Sequence, residues 1–191
     1  MKSVALASVL LLFVVAQASA QESALIKEGA KAPEFSALDD AGQEWKSSEH
    51  VGKNVVVVYF YPADMTGGCT KQACGFRDDK EALVKAGVEV VGVSGDSVAN
   101  HVLFKKAENL NFTLLADPSG KVAEAFGIPQ TKGEKQIERE IDGVTKTLTR
   151  GTTIQRFTVV IGKNGNVAKV YKVADAGADS DNILELVKSL Q

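Results

Sequence analysis

The sequence predicts an α/β protein in which helices flank a central mixed β-sheet with an edge hairpin at its N-terminal end. Segments with the β-branched, apolar composition of buried strands alternate with segments whose apolar residues recur at helical spacing. Strands that alternate with helices imply crossover connections and parallel pairing. An Asn-Gly turn between the last two strand-like segments adds an antiparallel hairpin, so the sheet is expected to be mixed.

The first half of the chain supplies the edge and the middle of this sheet. Residues 33–42 end in a turn signal and predict the short edge hairpin. Residues 54–61, NVVVVYFY, are apolar on both faces and predict a strand in the middle of the sheet, which Pro62 ends. Residues 69–86 predict one helix, and residues 88–94, VEVVGVS, predict a second buried strand.

The second half continues the alternation and then changes character. Residues 129–153 are polar and weakly periodic, and predict an extended surface segment in which two small strands are one option. Asp179 or Ser180 is expected to cap the last helix. The remaining predicted elements are a helix at 100–108, a strand at 112–115, a short helix at 121–126 and a hairpin formed by 156–161 and 167–171.

The N-terminus has the layout of a secretory signal peptide. Lys2 precedes an apolar run at residues 4–15 and the small-residue triplet Ala18-Ser19-Ala20, which predicts residues 1–20 as the signal peptide, cleaved after Ala20. An uncleaved anchor is the alternative, but the apolar run is well short of the ~20 residues that span a bilayer. No stable membrane span is therefore predicted, and the protein is expected to be exported, either periplasmic or secreted.

Length and composition indicate one ordinary globular domain, residues 21–191. The chain has 191 residues, of which 45% are hydrophobic and 24% charged, with a formal net charge of -2. A basic excess and an Arg/Lys cluster with interleaved aromatic residues are both missing from the sequence, so no nucleic-acid partner is predicted.

The two cysteines of the chain, Cys69 and Cys74, lie in the stretch YFYPADMTGGCTKQACGFRD. Cys69 opens a predicted helix, and a helix N-terminus lowers the pKa of a cysteine and so favours the reactive thiolate. Thr66 can turn its hydroxyl toward the same point, and Gly67 and Gly68 allow close backbone approach. This setting favours a nucleophile over a structural staple.

The motif Pro62-x-x-x-Thr66-x-x-Cys69 resembles the active site of the peroxiredoxins, and the longer stretch resembles their peroxiredoxin Q (bacterioferritin comigratory protein) branch. The similarity extends through VVGVSGDSVANHVLFK, NFTLLADPSGKVAEAFGI and RFTVVIGKNGNV, which implies a thioredoxin-like fold. Two departures stand out. Gly67 occupies a position where that branch often has proline, and residues 130–153 form a longer segment than usual.

The resemblance implies a thiol-dependent peroxidase of the atypical two-cysteine type, acting on hydrogen peroxide and organic hydroperoxides. Cys69 is then the peroxidatic nucleophile, which becomes a sulfenic acid, and Cys74 is the resolving thiol that forms the Cys69–Cys74 disulfide. Thr66 is expected to bind the peroxide, and Pro62 to shield the sulfur from water. The resemblance also implies a thioredoxin-like thiol reductant, a monomer, and no metal, haem or flavin cofactor.

Peroxiredoxins use an arginine beside the thiolate, and this chain offers four candidates: Arg77, Arg139, Arg150 and Arg156. Arg156 opens the segment RFTVVI at the position that matches the family arginine. We therefore predict that Arg156 polarises the peroxide, with Arg150 as the nearest rival.

The spacing of the two cysteines makes an independent demand. On a regular helix, residues five apart have Cα atoms about 8.6 Å from each other. A disulfide needs a Cα separation below about 7 Å. If both cysteines lie on one helix in the reduced protein, its first turn must unwind before they can bond.

Three other interpretations remain open at the level of sequence. A thiol-disulfide oxidoreductase acting on proteins would also use two cysteines, although the usual C-x-x-C motif is missing. A non-catalytic domain could carry a structural Cys69–Cys74 disulfide. A metal site is less well supported, because C-x4-C lacks zinc spacing and because His50 and His101 are distant, His101 being expected at the surface or as a cap.

Overall fold

A computed structural model describes residues 24–189, so the predicted signal peptide lies outside the described residues. The strands within this range are β1 (Ser36–Asp39), β2 (Glu44–Lys46), β3 (Val55–Phe60), β4 (Val88–Ser94), β5 (Thr113–Ala116), β6 (Gln130–Ile141), β7 (Val144–Ile154), β8 (Phe157–Ile161) and β9 (Val167–Lys172). The α-helices in the same range are α1 (Gly67–Asp78), α2 (Lys80–Lys85), α3 (Val98–Glu108), α4 (Lys121–Ala125) and α5 (Asp179–Ser189).

Seven strands form one mixed sheet in the order β2-β1-β5-β4-β3-β8-β9. The pairs β3/β4 and β4/β5 are parallel, because the helices α1 to α3 provide the crossovers, whereas β8 and β9 form an antiparallel hairpin beside β3. The β1/β2 hairpin occupies the opposite edge. This arrangement confirms the predicted fold class, an α/β thioredoxin-like fold with a central mixed sheet.

Each face of the sheet is covered by a separate hydrophobic core. Along β3, Val56, Val58 and Phe60 point into one core, which α4 and the edge hairpin cover. The alternate residues of β3 point into the second core, which α1, α3 and α5 cover and which contains Cys69. Every residue of β3 is buried, as a central strand covered on both faces requires.

Two elements differ from the sequence-based expectation. The single helix predicted at 69–86 is two helices, because the backbone of Asp79 leaves helical geometry (φ -89°, ψ 4°). Asp79 is the C-cap of α1 and the N-cap of α2. The segment at 130–153 forms a long two-stranded sheet, β6/β7, rather than small strands. Cross-strand pairing, interrupted by one register shift between Lys132 and Lys135, gives this polar segment regular structure without a continuous apolar face.

The second core brings an aromatic stack beneath the cysteine helix. Tyr59 stacks on Tyr61 and on Phe76 of α1, with ring centroids 5.3 and 4.9 Å apart. The Tyr59 ring passes over Gly92 of β4, where an added Cβ would lie 2.6 Å from its Cζ and hydroxyl oxygen. Gly92 therefore leaves the space that the tyrosine occupies.

No helix within residues 24–189 combines the length and the apolar character needed to cross a membrane.

We predict that Gly92→Ala lowers the free energy of unfolding by about 1–3 kcal/mol, because the new methyl group overpacks the Tyr59 ring. Urea unfolding followed by circular dichroism measures the change. Gly177→Ala is the matched control, because its nearest neighbouring atom, Asp175 Oδ1, is 3.5 Å away. Its expected effect is within about 0.5 kcal/mol. Equal stabilities of Gly92→Ala and the control would contradict the packing argument.

Candidate active site

Cys69 lies in the first turn of α1, directly after the loop that follows the carboxyl end of β3. Its side chain is 1% exposed and packs in the second core. The first turn of a helix presents backbone N–H groups that have no partner within the helix, and these favour negative charge nearby. The fold therefore places a buried sulfur beside the N-terminus of α1.

Arg156 reaches the same sulfur from the other side. It precedes β8, and its carbonyl oxygen accepts a hydrogen bond from Val173 N at 3.2 Å, which fixes its backbone. Its Nη2 donates to Cys69 Sγ at 3.2 Å. A Cβ on Gly68 would lie 3.2 Å from this Nη2, so glycine makes room for the guanidinium group, whereas Gly67 has no such neighbour within 4 Å.

Arg150, the alternative arginine, lies elsewhere. Its Nε donates to Thr153 Oγ1 at 3.0 Å, within β7. Arg139 of β6 donates through Nε to the carbonyl oxygen of Met65 at 2.8 Å, in the loop that leads to Cys69. Arg156 is thus the arginine whose side chain contacts the Cys69 sulfur.

A buried polar network extends behind Arg156. Its Nη1 donates to Gln72 Oε1 at 2.5 Å, and Gln72 Nε2 donates to Asp179 Oδ2 at 2.7 Å. Asp179 also accepts hydrogen bonds from Thr158 and Tyr171, each at 2.7 Å. Gln72 and Asp179 are both completely buried.

Sequence reasoning missed the roles of Gln72 and Asp179 in this network. Gln72 follows Cys69 by three residues, which places both on the same face of a helix, so the spacing could have identified it. Asp179 was expected only as a helix cap, and it is 107 positions from Gln72, so no local pattern connects them. In the structure Asp179 is the first residue of α5, and its carboxylate faces the interior of the protein.

Thr66 and Pro62 belong to the loop before α1. The Thr66 hydroxyl donates to Ala63 O at 3.0 Å, which leaves its lone pairs available to accept a further hydrogen bond. Pro62 is half-buried and lies two residues after the end of β3. The roles predicted for these two residues toward a peroxide remain predictions.

The same loop is held by a buried cluster around Asp64. Its carboxylate accepts from Tyr61 Oη at 2.7 Å and contacts His101 Nδ1 at 2.8 Å, and its backbone N–H donates to Asp96 at 3.0 Å. His101 is fully buried, so the expectation of a surface or capping residue is wrong. His101 lies on the inner face of α3, where it contacts the buried Asp64 carboxylate. A buried carboxylate is unfavourable unless it has such a partner.

Met65, next in the loop, has a left-handed backbone conformation with φ of 56°. This conformation is unfavourable for a residue with a side chain, and surrounding contacts must hold it. The Asp64 cluster holds one side, and Arg139 of the β6/β7 sheet holds the Met65 carbonyl oxygen. The long β6/β7 segment therefore forms part of the support of the candidate site.

Cys74 lies on the same helix, half-buried, and both cysteines are free thiols. Its Sγ lies 3.7 Å from Glu108 Oε2. Burial raises the pKa of the Cys74 thiol, and the Glu108 carboxylate adds to this, while Arg77 opposes it. Within the folded helix, Cys74 is therefore kept as a thiol.

Among residues 24–189, we find no group of three or more His, Cys, Asp and Glu side chains arranged to hold a metal ion. The features that remain at the site are a buried sulfur, a guanidinium group and a helix N-terminus. Together they suit the attack of a thiolate on a polarised substrate.

Comparison with known protein families matches residues 29–170 to the AhpC/TSA family. The chain belongs to this family. Relatives found in this comparison are named peroxiredoxin Q or Bcp, so the predicted resemblance is confirmed. It is 43% identical over 146 residues to peroxiredoxin Q of rice (Oryza sativa subsp. japonica) and 41% identical over 169 residues to that of Sedum lineare.

The alignment with the rice protein covers 76% of this chain and 59% of the relative, so the chain spans about three fifths of that protein. The alignment with the Sedum protein covers 88% of this chain and 81% of the relative. A crystal structure of the peroxidoxin BcpB from Mycobacterium tuberculosis has the same fold, with a TM-score of 0.71 and 29% identity. That match covers 87% of this chain and 99% of the other.

These relatives correct the predicted localisation. The proteins from rice and Sedum are both named chloroplastic. The prediction of an exported, periplasmic or secreted protein is therefore contradicted. It depended on residues 1–20, which lie outside the part of the chain that the structure describes.

The Asp64–His101 pair generates a prediction about pH. Burial by itself lowers the pKa of His101, but the neighbouring Asp64 carboxylate, with Asp96, raises it above 6.5 overall. The folded protein then binds this proton more tightly than the unfolded chain does. The contribution to stability is complete below about pH 6.5 and is lost as the pH rises through the raised pKa.

We therefore expect His101→Asn to flatten the decline in the free energy of unfolding above pH 6.5, measured by urea unfolding at pH 5.5 to 9. His50→Asn controls for the loss of a histidine as such, because His50 lies outside this cluster and pairs with Glu89 at 2.8 Å. An equal change of slope in both variants would argue against the assignment.

Proposed function

We propose that this protein is a thiol-dependent peroxidase that reduces hydrogen peroxide and organic hydroperoxides through Cys69. The observation that carries the proposal is the contact of Arg156 Nη2 with the buried Cys69 sulfur, 3.2 Å apart, at the N-terminus of α1. Membership of the AhpC/TSA family and the similarity to peroxiredoxins Q support it.

The first step is attack of the Cys69 thiolate on the hydroxyl oxygen of the peroxide. An S–O bond forms as the O–O bond breaks, so the sulfur is oxidised to a sulfenic acid and the peroxide is reduced to an alkoxide, or hydroxide, that takes up a proton. Arg156 stabilises the negative charge that develops on the departing oxygen. Thr66 accepts a hydrogen bond from the peroxide hydroxyl and orients it, and Pro62 shields the sulfur.

The contact with Arg156 is expected to accelerate the reaction by more than ionisation of the thiol could. An ordinary thiol with a pKa of about 8.5 is about 3% thiolate at pH 7, so complete ionisation would accelerate its attack roughly thirtyfold. Removal of a single group that stabilises developing charge typically costs about 10²–10³ in rate. Positioning of the peroxide against Arg156 is therefore the larger contribution.

The second step joins Cys74 to the sulfenic acid of Cys69. The Cys74 sulfur displaces the hydroxyl group, a disulfide forms, and water leaves. Because both cysteines lie on α1, their Cα atoms are too far apart on a regular helix, by the spacing of about 8.6 Å derived above. The segment of α1 that carries both cysteines must therefore unwind beyond its first turn, which also releases Cys74 from Glu108.

A thioredoxin-like dithiol then reduces the disulfide and returns both cysteines to thiols. The resemblance to peroxiredoxins Q favours a monomer, and we propose that the protein acts as one. The β6/β7 sheet supports the loop before Cys69, because Arg139 of β6 donates a hydrogen bond to the Met65 carbonyl oxygen.

Cysteine variants test this function. Cys69→Ser should abolish peroxide consumption in the presence of thioredoxin and its reductase, because it removes the nucleophile. Cys74→Ser should still consume one equivalent of peroxide and stop as a sulfenic acid, which dimedone labelling and mass spectrometry detect. Unchanged steady turnover in Cys74→Ser would contradict the role of this cysteine.

Arginine variants test the site. Arg156→Lys should lower the rate constant for reaction with peroxide about 10²-fold, because one ammonium group cannot contact both the Cys69 sulfur and Gln72. Stopped-flow mixing of reduced protein with hydrogen peroxide measures it. Arg150→Lys is the matched control and should retain the wild-type rate within about threefold. A larger loss in Arg150→Lys than in Arg156→Lys would reverse the assignment.

A further inference from the structure

The Gln72 amide lies between two groups of fixed hydrogen-bonding character. Arg156 can only donate, and it faces Gln72 Oε1 at 2.5 Å. A carboxylate can only accept, and Asp179 Oδ2 faces Gln72 Nε2 at 2.7 Å. The two neighbours therefore specify the same orientation of the amide, with its oxygen toward the guanidinium group.

Asp179 is held in turn by hydroxyl groups from the sheet. Thr158 of β8 donates to Oδ2, and Tyr171 of β9 donates to Oδ1, both at 2.7 Å. Together with Gln72, these hydroxyl groups give the buried carboxylate three hydrogen-bond donors, and none of the three is a cation. The nearest positive charge in this network is Arg156, one amide away.

From this geometry we propose that Asp179 is a positioning residue of the peroxidatic site. Through Gln72 it fixes the Arg156 guanidinium group against the Cys69 sulfur, although it contacts neither Arg156 nor Cys69. The proposal builds on the peroxidase function proposed above.

The same hydrogen bond also acts on the resolving step. Gln72 lies between Cys69 and Cys74, within the part of α1 that must unwind for the disulfide to form. Unwinding breaks the Gln72–Asp179 bond and leaves the buried carboxylate with one donor fewer, which is unfavourable. Asp179 therefore favours the folded helix, and so speeds the reaction with peroxide while slowing disulfide formation.

Asp179→Asn tests both effects in one protein. Asparagine can offer an N–H where Gln72 Nε2 also donates, so the amide loses its fixed orientation and Arg156 its support. The rate constant for sulfenic acid formation should fall about tenfold, less than the ~10²-fold that a misplacement of about 1 Å can cost, because Arg156 keeps its contact with Gln72. The rate constant for disulfide formation should rise severalfold, and amide exchange across residues 69–76 of the reduced protein should accelerate.

A charge exchange distinguishes positioning from a merely structural role. Gln72→Glu alone places two carboxylates against each other, so it should also slow sulfenic acid formation. The double variant Gln72→Glu/Asp179→Asn restores a donor facing an acceptor and keeps an acceptor toward Arg156. We expect it to recover the wild-type rate constant within about threefold, whereas simple destabilisation of α5 would add to the loss.

Asp181→Asn is the matched control, because Asp181 lies in the same first turn of α5 but is exposed. It should leave both rate constants and the exchange pattern unchanged. Tyr171→Phe is a milder second variant, which removes one donor to Asp179 and keeps Gln72. It should show the same two opposite changes with smaller size, and so tests the proposal if Asp179→Asn does not fold.

Quenched-flow sampling with dimedone, followed by mass spectrometry, resolves the two rate constants. Loss of both rates in Asp179→Asn without recovery in the double variant would overturn the proposal. Absence of peroxide reduction in the wild type would instead refute the proposed function. In that case the exchange measurement still tests the link between Asp179 and α1.

Discussion

The contact between Arg156 and the Cys69 sulfur depends on two elements that meet only because the sheet aligns them. Cys69 comes from the helix after β3, and Arg156 from the residue before β8, which pairs antiparallel with β3. Antiparallel pairing places the start of β8 at the same end of the sheet as the end of β3. The cysteine and the arginine, 87 positions apart in sequence, are thereby brought to one point.

The strands that create this arrangement could be predicted where the local sequence pattern is unambiguous. Residues 55–60 are apolar and aromatic without interruption, so a buried strand was predictable, and an Asn-Gly turn indicated the β8/β9 hairpin. The break at Asp79 and the length of β6/β7 were not predictable in the same way. No local sequence pattern marks either feature, and none reveals that Arg139 of β6 would donate a hydrogen bond to the Met65 carbonyl oxygen.

In the candidate site, too, the residues of a local motif were predictable, whereas those that depend on distant partners were not. Cys69, Thr66 and Pro62 lie within eight positions of each other and form a motif, so sequence alone could single them out. The buried carboxylates behave differently, because Asp64 and Asp179 matter through partners on other elements, His101 and Gln72. A carboxylate in a sequence does not reveal whether it will be buried, and burial is what makes its partners energetically important.

Two glycines of α1, Gly68 and Gly75, affect both the packing of the candidate site and the unwinding of the helix. Gly68 admits the Arg156 guanidinium group, and a Cβ on Gly75 would lie 2.8 Å from Ser180 Oγ of α5, so both are explained by close approach. Each glycine also weakens a helix by about 1 kcal/mol relative to alanine. The residues that allow Arg156 and α5 to pack against the cysteine helix therefore also lower the free energy needed to unwind it. Close packing around Cys69 and the opening that the proposed Cys69–Cys74 disulfide would require are thus both favoured by the same two glycines.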